Sequence, residues 1–66
     1  SERYAITLAA NGMTTSFETQ APFLALMVSE LAELSLASGD VLTVSVSQIA
    51  QGVGPGDPTV ISIVYP

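Results

Sequence analysis

Asn11-Gly12 lies between two stretches that alternate large apolar with small residues, and no other feature constrains the chain as much. Before it, Tyr4, Ile6 and Leu8 alternate with Ala5, Thr7 and Ala9. After it, over 13–18, Met13, Thr15 and Phe17 alternate with Thr14, Ser16 and Glu18. A period of two is that of a half-buried strand, because successive side chains point to opposite faces. A two-residue Asn-Gly link suits a type I′ turn, in which both central residues take positive φ. The chain is therefore expected to open with a β-hairpin.

The pattern then changes. Thr19 is placed to cap a helix, and Pro22 fits a first helical turn, where its missing N–H costs nothing. Over 23–37 most residues are good helix formers. At helical spacing Phe23, Leu24, Met27, Val28, Leu31, Ala32 and Leu34 fall on one wide apolar arc. Ser29, Glu30 and Glu33 fall on the opposite arc, together with Leu26 and Leu36. Ser38-Gly39-Asp40 is the expected stop, with Gly39 suited to a left-handed residue after the helix.

Two further strands are expected. Over 41–49, Leu42, Val44 and Val46 alternate with Thr43, Ser45 and Ser47. Over 59–65 the chain is apolar on both faces, with Ser62 the polar exception, which suits an inner strand. Between them Gly52, Gly54, Pro55, Gly56 and Pro58 mark a loop, and the Gly52–Pro58 stretch reads as a flexible hairpin tip able to order on a partner. Nothing repeats and no linker is visible, so residues 1–66 are expected to form a single domain.

The element order β-β-α-β-β implies an α+β fold: a four-stranded mixed sheet in the order 2-1-4-3, with one helix packed on one face. The first and last strands would then lie parallel at the centre. On the Ala10-Asn11-Gly12 turn, the single helix and the final hairpin, this arrangement resembles a β-grasp. It is most similar to the small immunoglobulin-binding domains of bacterial surface proteins G and L. The likeness covers nearly the whole chain and is topological, without a shared motif, and immunoglobulin binding is not carried over with it.

Composition narrows the function. The chain has 66 residues, no Cys and no His, one cation against six acids and a net charge of -5. Arg3 alone does not neutralise a phosphate backbone, so no nucleic-acid partner is expected. Without His, Cys or Lys, the common metal ligands, nucleophiles and proton shuttles are missing. No enzyme activity, no cofactor and no metal site is therefore expected. Glu30 and Glu33, three residues apart on a helix, read as a solvated face. The apolar stretch over 21–37 contains both of them and falls short of the roughly 20 residues of a membrane span, so none is expected. The residues do not indicate a compartment.

The apolar share of 48% against a charged share of 11% points instead to a surface covered by another protein. If the helix covers one sheet face, the other exposes Ala5, Thr7, Ala9, Thr14, Ser16, Thr43, Ser45, Ser62 and Val64. That face is small-residued and uncharged, and it is the expected interaction surface, with Leu26 and Leu36 as a secondary patch on the helix. Edge strands with little Lys or Pro leave strand addition as a third route. Two functions follow as expectations. One is a small non-catalytic structural or interaction module, a self-associating subunit or component of an assembly such as a virus particle or surface complex. The alternative is a monomeric acidic protein-binding domain or inhibitor that recognises a folded, basic partner.

Overall fold

The computed structural model describes residues 2–20 and 29–66. The opening hairpin forms as its pattern requires. Strand β1 (Arg3–Ala10) pairs antiparallel with β2 (Met13–Gln20), from Ala10 opposite Met13 to Arg3 opposite Gln20. Asn11 and Gly12 both take positive φ, 56° and 72°, as a type I′ turn demands. Strand β2 runs two residues beyond its expected end, so Thr19 pairs with Tyr4 in the sheet instead of capping a helix.

The rest of the sheet is ordered differently from the expectation. Strand β3 (Val41–Ala50) pairs antiparallel with β1, from Arg3 opposite Ile49 to Ala9 opposite Thr43. The other edge of β3 carries two pieces, β4 (Gly54–Pro55) and β5 (Thr59–Val64), both antiparallel. The result is one curled, antiparallel half-barrel sheet in the order β2-β1-β3-β4, with β5 also on β3. The α+β mixed sheet in the order 2-1-4-3 is thereby overturned, and with it the expected parallel central pair. About 60% of the described residues are strand, so the sheet dominates them. The physical reason lies in strand length. The ten residues of β3 pair with seven of β1 and set Val44 and Val46 against Leu8 and Ile6, a longer match than the six-residue β5 offers. Antiparallel pairing also holds slightly better per residue than parallel pairing.

Among the described residues the helix ends earlier than expected. The described helical part covers 29–34, closing in a 3-10 turn at Ala32–Leu34. The helix does not run on to Gly39: Ser35 adopts the left-handed conformation (φ 51°, ψ 50°) and ends it. The expected helix residues Pro22, Phe23, Leu24, Leu26, Met27 and Val28 lie outside the described residues. Leu34 is the anchor. It is buried with Ile6, Leu8, Ala10, Leu42 and Val44, and Leu31, Leu36, Tyr4, Phe17 and Val46 pack around them. Glu30 does not point to solvent as expected: its half-buried carboxylate accepts a hydrogen bond from the Thr15 hydroxyl of β2 at 2.9 Å.

Asp40 holds the entry to β3. Its carboxylate accepts bonds from the Asn11 side-chain amide at 2.7 Å and from the Ala37 backbone N–H at 2.8 Å. Its backbone carbonyl accepts from Tyr65 N–H at 2.8 Å, while Gly39 N–H donates to the Tyr65 carbonyl at 2.9 Å. One turn thus ties the tip of the first hairpin to the end of β5. The Gly52–Pro58 loop, expected to be a free tip, is bound back onto β3. Val53 N–H donates to Ala50, Gly56 N–H donates to Gln48, and Gly54–Pro55 pairs with Ile49 and Ala50.

Candidate interaction surface

Sheet register sorts the side chains into two faces, since opposed residues of an antiparallel sheet share a face. On the core face one row reads Thr15, Leu8, Val44, Ile61, and the next reads Phe17, Ile6, Val46, Thr59. The opposite face carries the rows Thr14, Ala9, Thr43, Ser62 and Ser16, Thr7, Ser45, Val60. Ala5 lies beside the second row, between Glu18 and Ser47, and Val64 stands opposite Val41. All nine residues expected on the open face therefore share one face, although their strands are ordered differently from the expectation.

That face binds largely to itself. Thr7 and Ser16 hydroxyls are 3.0 Å apart and Thr43 and Ser62 hydroxyls 3.4 Å apart, each a cross-strand hydrogen bond. Ala5, Thr7, Ala9, Thr43 and Ser45 are half-buried, Ser47 is buried, and Thr14, Ser16, Ser62 and Val64 are exposed. Exposure thus concentrates at the two edges. The expected secondary patch is described only at Leu36. Leu36 lies beyond the helical turn and packs half-buried against the core, while Leu26 lies outside the described residues.

The edges differ in kind. On β2 the exposed residues are mainly polar, and Glu18 forms an exposed ion pair with Arg3 at 3.2 Å. On β5 all six residues are exposed, with Val60, Ile61, Ile63 and Val64 between 49% and 67% accessible. The helical turn reaches β1, β2 and β3 but leaves Ile61 and Ile63 open, although both lie on the core face. A shallow pocket of about 380 Å³ is lined by Leu31, Ala32, Ser35, Leu36 and Tyr65, the residue that follows β5. Among the described residues nothing pairs with the outer edge of β5.

Charge lies away from this strip. No ionisable acid or base occurs over 59–64, and Asp57 is the nearest acid in sequence. Asp40 has its carboxyl held below its ordinary 3.8, first by the Asn11 amide and then by the Ala37 N–H. Tyr4 donates its hydroxyl proton to Glu2, and that bond, with some burial and the Glu2 charge, raises its pKa. Neither group lines the apolar strip. Among the described residues no three acidic side chains converge as a metal site would require, and no helix is long and apolar enough to cross a membrane.

The chain matches no family model, no curated protein and no solved structure. The surface must therefore be judged on its own chemistry. Val60, Ile61, Ile63 and Tyr65 were not among the expected surface residues, because a strand apolar on both faces reads as an inner one. Their signal in the sequence was the same two-faced apolarity, which equally fits an edge that meets a partner.

Proposed function

We propose that the chain is a self-associating, non-catalytic interaction module, a small subunit whose contact with its assembly runs through β5. One observation carries this reading: β5 is apolar on both faces, exposed at all six residues and, among the described residues, unpaired along its outer side. An edge of this kind is ordinarily blunted by charge, proline or a bulge. Here Pro55 and Pro58 stop short of its centre, and no Lys occurs anywhere in the chain.

Native mass by sedimentation or light scattering tests the reading. The mass is expected to exceed that of one chain at micromolar concentration and to rise with salt, because copies carrying -5 each repel one another less when screened. A single-chain mass at every concentration and salt overturns it. The net charge favours a second reading, an acidic domain steered to a basic partner. That reading requires a partner whose binding weakens with salt, the opposite dependence.

A further inference from the structure

We propose that β5 pairs antiparallel with β5 of a second copy, about a two-fold axis through Ser62. This deepens the self-association reading and rests on it. The segment Val60-Ile61-Ser62-Ile63-Val64 is a palindrome, with Pro58 and Pro66 equidistant on either side of its centre. In an antiparallel pair centred on Ser62, Val60 meets Val64 of the second copy, Ile61 meets Ile63, and Ser62 meets Ser62. An isologous two-fold contact has this property: the same patch serves both sides. An unrelated partner strand would not call for a sequence that reads alike in both directions, so the symmetry selects a second copy over other occupants.

The backbone phase agrees. Tyr65 directs both its N–H and its carbonyl inward, to Asp40 and Gly39. Strand alternation then turns Ile63, Ile61 and Thr59 toward β3, and Val64, Ser62 and Val60 outward. The residue at the centre of the palindrome is thus one whose backbone groups face the open side. Ser62 with its counterpart, and Val60 with Val64, each exchange both hydrogen bonds of a bonded pair. Side-chain faces agree as well: Ile61 and Ile63 of both copies prolong the core face, and Val60, Ser62 and Val64 prolong the other. The stretch over 59–64, which holds no charged side chain, is also where two chains of -5 approach with least repulsion.

Single-cysteine variants of the whole chain test the register without background, since the sequence holds no Cys. Ser62→Cys places two thiols on a bonded pair whose Cα atoms lie about 5.5 Å apart, within disulfide reach. Val60→Cys sets its two thiols about 13 Å apart along the strands, out of reach of each other but opposite Val64→Cys. Under mild oxidation Ser62→Cys is expected to cross-link at least ten-fold faster than Val53→Cys, an 82% exposed reference on the distant loop. Val60→Cys and Val64→Cys should link no faster than that reference alone, and as fast as Ser62→Cys when mixed. Rates that are equal at all positions, or linking of Val60→Cys with itself, overturn the register. If native mass still shows a dimer, self-association stands and only the pairing falls; a single-chain mass overturns both.

Discussion

Strands β1 and β5 carry similar side chains and end in opposite surroundings. In β1, Ile6 and Leu8 are 1% and 0% accessible, covered by Leu34 and flanked on both sides by paired strands. In β5, Ile61 and Ile63 lie on the same face of the same sheet and are about half exposed, at 54% and 49%. Side-chain chemistry does not separate them. What differs is the number of neighbours: among the described residues β1 has a strand on either side and a helical turn above, and β5 pairs with β3 alone. Burial is therefore a property of place in the sheet, and a strand with the composition of an inner one stands at an edge where no described strand lies beyond it.

Substitutions that strike one strand and spare the other sharpen this contrast. The largest effect is expected from Leu8→Ala, which removes a fully enclosed side chain and should cost about 2–5 kcal/mol in urea unfolding. For a domain of this size that approaches the whole stability. Equal tolerance of Leu8→Ala and Ile61→Ala would erase the distinction between the strands. Next comes Gly12→Val, which forces a β-branched residue to φ 72° in the turn that sets β2 against β1. A loss of about 1–2 kcal/mol is expected, and because the turn reaches the end of β5 only through Asp40, cross-linking at Ser62→Cys should persist in the folded fraction.

Acid acts on the point where the two strands are tied together. The Asp40 carboxyl is held below its ordinary 3.8 in the folded chain, so its ionised form favours folding. That contribution is fully present above the ordinary value and is lost as pH falls through the depressed one. Unfolding followed between pH 5 and pH 2, as approximate limits chosen from the ordinary range, should show a step that Asp40→Asn removes; an unchanged acid profile for that variant would separate Asp40 from the clamp. The smallest effect on the isolated chain is expected from Ile61→Ser, under about 1 kcal/mol, as for surface changes generally. The same variant should lower the native mass. A large loss of single-chain stability would show that β5 is already buried.

Local features were legible in the sequence, and long-range ones were not. Asn11-Gly12 announced the hairpin because a turn is decided by two residues and their φ. The membership of each sheet face was legible for a similar reason: parity is set residue by residue, so Ala5, Thr7 and Thr43 share a face whichever strands are neighbours. Strand order depends on which distant segments match best, and two-faced apolarity misplaced β5 at the centre. The helix end was missed because Ser35, a residue with no strong preference for positive φ, closes it where Gly39 was the expected stop. Leu36, assigned to an outer helical patch, then falls past the helix and joins the core instead.

The polar edge of β2 has a consequence for how far assembly can go. By strand alternation the backbone groups it turns outward belong to Thr14, Ser16, Glu18 and Gln20, and Glu18 sets a carboxylate beside any chain that would add there. Joining two copies through β5 consumes both adhesive borders and leaves only these resistant ones outside. Growth would halt at a closed pair, so a strand with the makings of a fibre nucleus would end in a soluble particle of fixed size.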